Sequence, residues 1–240
     1  MLVNTPAIVI STVKFAEADL IVSCYTKDFG LKKYLLRGIL KSRKGKLKPS
    51  YFQPLTLLEI TAIHKDKGTL ERIKEAKVAS HYKTLHTIVT KSSLVLFISE
   101  ILKKVIQEEE KNVKLYGYLS NSLLWLDKSN HIANFHILFL LKLTYYLGFF
   151  PNIESTNYQY FNIQEGKFQD TFTSNYCLSG KKIEYLKTFF GINFDDLEHI
   201  KLTGKIRLEI LDVLLSYYQL HLQGFKKPKS MDVLVQLFRC

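Results

Sequence analysis

The sequence predicts an α+β chain: a small five-stranded β-barrel over roughly the first eighty residues, then a helical domain. Three observations carry this. Residues 1–80 contain five short runs rich in Val, Ile, Thr and Tyr, the composition of pleated, half-buried segments. Beyond Val78 the apolar residues change to helical spacing. Gly and Pro stand between the runs and at the ends of the helical stretches, where turns need them.

The strand candidates are "PAIVISTVKF", "DLIVSCYT", "KKYLLRGIL", "LTLLEITAI" and "TLERIKEAKV". Lys27-Asp28-Phe29-Gly30 and Lys65-Asp66-Lys67-Gly68 place Gly where a hairpin requires positive φ. The third-to-fourth connection is longer, from about Leu40 to Gln53, and holds Gly45 and Pro49. Five short strands with one long connection suit a closed barrel, and the OB-fold is the nucleic-acid-binding member of that class. "SSLVLFISEILKKVIQ", "VKLYGYLSNSLLWLDK" and "ANFHILFLLKLTYYLGF" then read as helices, the last stopping at Gly148 and Pro151. Residues 152–179 show no period and read as an irregular insertion. Helices return at Lys181–Phe190, Gly204–Leu222 and Met231–Phe238. The boundary falls near residue 80, giving a barrel at 1–80 and an all-α helical domain at 81–240.

At 240 residues, with 47% apolar and 23% charged residues, the composition is that of a packed globular protein. The net charge is +12, so nucleic acid, an anionic membrane or an acidic protein is the expected partner. Residues 1–80 carry 15 basic and 7 acidic side chains, two thirds of the excess in one third of the chain. Three scattered cysteines, Cys24, Cys177 and Cys240, and an N-terminus without signal-peptide character fit a reducing cytoplasm. The most apolar run, Phe135 to Phe150, is too short for a membrane span and includes His136 and Lys142. No membrane association is expected.

The charge concentrates in "KSRKGKLKP", Lys41 to Pro49, where five of nine residues are basic. From Phe29 through Leu58 there is no Asp or Glu. Lys32, Lys33, Arg37, Lys41, Arg43, Lys44, Lys46 and Lys48 therefore form a candidate phosphate-binding set, with Arg37 and Arg43 able to grip phosphate bidentately. A plain solvated loop is the alternative for such a run. Phe29, Tyr34, Tyr51 and Phe52 are interleaved with it, and Tyr34, between Lys33 and Arg37, is the leading candidate to stack on a base. Enzymatic chemistry has little support. Of the acid groups Glu17/Asp19, Asp195/Asp196 and Glu108-Glu109-Glu110, the second reads as a helix entry and the third as solvated at a helix end. Seven histidines show no metal-binding spacing, and no phosphate-binding Gly-rich loop occurs. No cofactor is expected.

Two stretches resemble a known family. "AIVISTVKFAEADLIVSCYTKDFG" carries an E-x-D-x-I-V pattern on Glu17, Asp19, Ile21 and Val22, and "LLRGILKSRKGKLKPSYFQPLTLLEI" carries R-G-x-x-K-S and Q-P-L-T-L-L elements. With "LKLTYYLGFFP" and "YYQLHLQGFKKPKSMDVL" following in order, the chain resembles the bacterial recombination mediator and DNA repair family RecO over nearly its whole length. The resemblance implies an OB-fold followed by a helical domain, binding of single- and double-stranded DNA, and annealing of complementary strands. It also implies contact with the acidic C-terminal tail of single-stranded DNA-binding protein (SSB), and cooperation with RecR in loading RecA onto SSB-coated DNA. Action at the nucleoid within the cytoplasm goes with this. Lys103, Lys104 and Lys142 are possible cations for the SSB tail. Many family members carry a four-Cys zinc site after the L-G-x-x-P element, whereas "NIESTNYQYFNIQEGKF" has no cysteine. Zinc needs about four ligands, so this segment is expected to be metal-free and held by packing of Tyr158, Tyr160, Phe161 and Phe168. Apart from the resemblance, an RNA-binding barrel protein or, more remotely, a metal-dependent nuclease would suit the same residues.

Overall fold

The alternation in the first eighty residues becomes a five-stranded antiparallel sheet in the computed structural model, which describes residues 1–41, 46–65, 69–106 and 110–238. Its strands are β1 (Leu2–Phe15), β2 (Asp19–Thr26), β3 (Gly30–Leu36), β4 (Leu57–Ile63) and β5 (Arg72–Val78), in the order β3-β2-β1-β4-β5. The outer strand β3 meets the segment entering β5 through one parallel bridge, Tyr34 with Glu71. Two backbone bonds make it: Leu35 N–H donates to Glu71 O at 2.9 Å, and Glu71 N–H donates to Lys33 O at 2.8 Å. This is the strand arrangement of an OB-fold, with the closing ladder reduced to a single bridge.

Val3, Ala7, Val9, Val22, Cys24, Tyr34 and Leu58 are among the side chains that fill the interior, as the two-residue period requires. Burial pushes the Cys24 thiol up to about 12, so it acts as a small hydrophobe. The β2–β3 turn has Gly30 at φ +63°, as the sequence predicts. The parallel expectation for Asp66, Lys67 and Gly68 lies outside the described residues. Leu55 adopts a left-handed backbone (φ +61°) with its side chain fully buried; its N–H donates to Val9 O at 2.7 Å.

The compact unit that contains the barrel runs from Met1 to Asp127 and includes helices α1 (Val89–Val105) and α2 (Val113–Lys128). A bulge in β1 leaves Ile10 without a partner between Val9↔Cys24 and Ser11↔Ser23. The carbonyl it frees accepts the Ser99 hydroxyl of α1 at 2.7 Å. Near the end of α2, Asp127 accepts three backbone N–H groups in a row, from Lys83 (3.0 Å), Thr84 (2.8 Å) and Leu85 (2.8 Å). The buried Lys91 Nζ donates to Asp127 O and Thr84 Oγ1, both at 2.7 Å. The chain leaving the barrel is thereby fixed to the helices that cover it.

The second unit, Lys128–Cys240, is centred on α3 (Phe135–Tyr146), whose Ile137, Leu138, Phe139 and Leu140 are all fully buried. A helix buried all round shows no amphipathic stripe, as the sequence of this one predicts. It ends in a Schellman motif. Gly148 (φ +83°) donates to Tyr145 O at 3.3 Å, and Phe149 N–H donates to Thr144 O at 3.0 Å. The short strands β6 (Tyr160–Asn162), β7 (Lys167–Gln169) and β8 (Cys177–Leu178) follow, then α4 (Lys181–Lys187), α5 (Gly204–His221) and α6 (Met231–Phe238). The stretch expected to be irregular thus contains a small three-stranded sheet of order β7-β6-β8. Strands of two or three residues are too short for a period to be visible in the sequence. The expected role of Asp195/Asp196 at a helix entry holds: Asp196 and Asn193 form a capping box on the 3-10 helix Phe194–His199.

Burial tends to raise the Asp127 carboxyl, but the N–H groups of Lys83, Thr84 and Leu85 and the Thr84 hydroxyl outweigh it, leaving the group below its ordinary value. Asp127→Ala is expected to cost about 2–3 kcal/mol of stability, since it leaves three amides without their acceptor, and this is read from urea midpoints. The wild-type advantage is fully present above about pH 4, the ordinary carboxylate value. It fades as pH falls through the lowered native value, so the two midpoints converge on acidification.

Candidate nucleic-acid interface

Along β3 the side chains of Tyr34 and Leu36 enter the core while Lys33 and Leu35 face outward, and Arg37 is exposed in the turn that follows. On β5, Ile73 and Ala76 are buried and Arg72, Lys74, Glu75 and Lys77 are exposed. A register shift between Thr61↔Glu75 and Ala62↔Ile73 leaves Lys74 unpaired in the ladder, so two consecutive residues, Lys74 and Glu75, are both exposed. Among the described residues the β3–β5 seam is bridged in its backbone at Tyr34 and Glu71 alone, and a groove of about 940 Å³ runs along it. Arg37, Lys46, Lys65, Arg72 and Lys74 bring positive charge to it, and Leu35, Ile39, Leu47, Leu70 and Ile73 contribute apolar surface. Its two acids are engaged. Glu71 is 5% exposed, and its carboxylate accepts Lys65 N–H at 2.9 and 3.0 Å. Glu75 Oε1 lies 2.8 Å from Lys46 Nζ.

The predicted cations divide as follows. Lys33, Arg37, Lys41, Lys46 and Lys48 are exposed and Lys32 is half-buried. Arg43 and Lys44 lie outside the described residues. The acid-free zone of the sequence is not acid-free in space: Lys41 pairs with Glu17, and Lys46 with Glu75, each at 2.8 Å. Both pairs are solvent-exposed, with side-chain exposures of 52–87%, and such pairs yield readily to a competing anion. Arg37 makes no ion pair among the described residues.

The aromatic expectation needs correction. Tyr34 is fully buried, its hydroxyl 2.8 Å from His64 Nε2, and its ring cannot meet a base. It occupies an inward position of β3, where a large ring fills the barrel. Phe52 is buried too, and Phe29 and Tyr51 pack against the core, Lys48 lying 6.0 Å from the Tyr51 ring centre. The ring that the described barrel does expose is Phe15, 48% accessible at the end of β1, opposite Asp19. Asp19 Oδ1 accepts Gly38 N–H at 2.7 Å, fastening the start of β2 to the turn that follows β3. A strand-end aromatic beside a turn is the sequence signal for Phe15. Lys65, Arg72 and Lys74 also escape a reading that follows the lysine run, although "LERIKEAKV" sets Arg72 and Lys74 two residues apart on one strand.

Glu17 and Asp19 are engaged with Lys41 and the Gly38 amide, and Asp196 with its cap. Glu108 and Glu109 lie outside the described residues. In the small sheet, Phe161 and Phe168 are buried with ring centres 4.8 Å apart, and Phe161 also meets Tyr217 at 5.8 Å. Tyr158 is 39% exposed and Tyr160 half-buried, so of the four rings expected to hold this segment the two phenylalanines form its core. Cys177 Sγ lies 3.3 Å from Gln169 Nε2 and 3.4 Å from Thr173 Oγ1. No group of three or more His, Cys, Asp or Glu among the described residues could hold a metal. This donor set does not suit zinc.

A basic OB barrel joined to helices defines a class, the OB-fold proteins that meet polyanions. Residues 1–82 match the family model described as Recombination protein O N terminal, and residues 87–231 match that described as Recombination protein O C terminal. The chain belongs to the RecO family of DNA repair proteins. It is 50% identical over 238 residues to DNA repair protein RecO of Christiangramia forsetii, and 45% identical over 238 residues to that of Flavobacterium psychrophilum. With DNA repair protein RecO of Bacteroides fragilis the identity is 33% over 246 residues. In each case 99% of this chain and all of the relative are covered. No helix among the described residues is long and apolar enough to cross a membrane.

Tyr34→Phe tests the structural role of the buried hydroxyl. Loss of the bond to His64 is expected to lower stability by about 1 kcal/mol, seen in thermal melts.

Proposed function

We propose that this chain is a non-enzymatic recombination mediator: it binds single- and double-stranded DNA, anneals complementary strands and, with RecR, helps RecA replace SSB. Membership of the RecO family supports the setting, and the exposed cations on and after β3 are the observation that carries the chemistry. Lys33, Arg37, Lys41, Lys46 and Lys48 present positive charge at the surface of an OB barrel. Two strands that pair must bring their phosphates together. Cations that neutralise part of that charge, releasing counterions, lower the repulsion without reading sequence. Positioning and charge are enough for this step, and no bond is made or broken.

Recruitment to coated DNA needs a second contact. The acidic, apolar tail of SSB is met by a cation beside an apolar surface, and two weak contacts raise the effective concentration on the strand. Of the cations considered, Lys103 is exposed in the last turn of α1, and Lys104 is paired with Glu100 at 3.0 Å. Lys142 donates to Asn193 at 3.0 Å and lies 6.0 Å from the Phe194 ring centre.

The test is annealing of two complementary oligonucleotides, bare and SSB-coated, without nucleotide or divalent metal. Pairing faster than the spontaneous rate and intact strands are the expected result. Cleavage that depends on added Mg²⁺, or a strong preference for structured RNA, would replace the proposal with a nuclease or an RNA-binding protein. A double variant, Lys33→Glu with Arg37→Glu, is expected to weaken binding to all sequences alike. It should also flatten the dependence of log K on log salt by about 1.4, the share of two neutralised single-strand phosphates.

A further inference from the structure

The seam groove contains cations that the β3 surface and its connection do not include, and one acid in an unusual place. Lys65 comes from the connection after β4, and Arg72 and Lys74 from β5; with Arg37 and Lys46 they line a single cleft. Arg37, Arg72 and Lys74 make no ion pair among the described residues. Glu71 is committed to the seam, leaving Glu75 as the one exposed carboxylate in the lining among the described residues. It is also the residue that pairs with Lys46, a cation from the basic connection. Lys74 and Lys77 flank it, and it titrates below its ordinary value through the Lys46 bond first and those lysines after.

A carboxylate bridging a long-stemmed lysine to a wall of cations stands where a phosphate diester would stand. A single strand laid along the cleft can place its phosphates at the cationic rim and its bases against Leu35, Leu47 and Leu70. We propose that the β3–β5 groove is a seat for the single-stranded DNA backbone, with Lys65, Arg72 and Lys74 as its second wall and Glu75 as an internal stand-in for phosphate on Lys46. The first incoming phosphate displaces Glu75, so part of the attraction goes into breaking the Lys46–Glu75 pair. The groove then holds a strand less tightly than its cations alone would, which suits a protein that must release paired product. The inference rests on the DNA-binding reading above and adds to it the wall and the internal competitor.

The experiment compares the full chain with three variants on a fluorescein-labelled oligo(dT), by anisotropy across a salt series. Glu75→Gln is expected to bind about two- to fivefold tighter, the release of one exposed ion pair, with a slope steeper by about 0.7, one further phosphate neutralised. Arg72→Gln with Lys74→Gln is expected to weaken binding about tenfold and to flatten the slope by about 1.4, two phosphates left to their counterions. Glu59→Gln makes the same change in net charge on β4, opposite Lys77 and outside the groove lining, and is expected to leave affinity within about twofold, as for an exposed charge that holds no groove cation. Thermal melts of each variant establish that it is folded. Equal tightening by Glu59→Gln and Glu75→Gln would reduce the effect to bulk charge and overturn the proposal, as would unchanged binding by the Arg72/Lys74 variant. If the wild type binds oligo(dT) and these variants do not differ from it, this inference falls and the DNA-binding reading stands. If the wild type fails to bind, both fall.

Discussion

The way the barrel closes governs the rest of the first unit. A sheet that closes with a full ladder would fill the space between β3 and β5 with paired backbone. Here the closure is a single bridge at Glu71, and that residue's carboxylate also holds the Lys65 amide at the entry to the β4–β5 connection. The seam is therefore shut at one point and open beside it. The opening lets side chains from three separate pieces of sequence, the end of β3, the basic connection and β5, converge on one cleft. The buried Glu71 carboxylate, holding one amide through both of its oxygens, contributes to the structure of the seam.

Much of this architecture is legible in the sequence. The five strands, the glycine at Gly30, the helices from Val89 onward and the stop at Gly148 all follow from local rules on turn residues and periodicity, and the observed elements agree with them closely. The candidate site is legible only along the chain. A run of lysines announces itself in a sequence, and that is where attention falls. Glu17 and Glu75, 24 and 29 residues away from Lys41 and Lys46, are brought beside them by the fold, and no window along the sequence joins them. Tyr34 shows the same limit differently. Its basic neighbours suggest a surface role, but its position in the alternation of β3 turns it inward, where burial of a large ring outweighs the company it keeps in sequence.

The three-stranded insertion shows how one small element can be held by different physics. Metal ligation fixes a short hairpin with a few strong, directional bonds. Phe161, Phe168, Tyr217 and Phe190 instead form a chain of ring contacts at 4.8–5.8 Å. Gly166, at φ +65°, lets the turn between β6 and β7 approach the Tyr217 hydroxyl so closely that an added Cβ would sit 2.5 Å from it. That hydroxyl in turn donates to Phe149 O at 2.7 Å, just past the end of α3.

The bulge at Ile10 bears on where the chain can be cut. Ile8, Ile10 and Tyr25 are buried on the side of the sheet away from the barrel interior, where α1 packs and where the Tyr25 hydroxyl reaches Asn112 O at 3.4 Å. A fragment ending at residue 80 would keep every strand of the barrel while uncovering that greasy face and stranding the Ile10 carbonyl. Truncation for biochemical work is better made after α2, where Asp127 completes the fastening, than at the point where strands give way to helices.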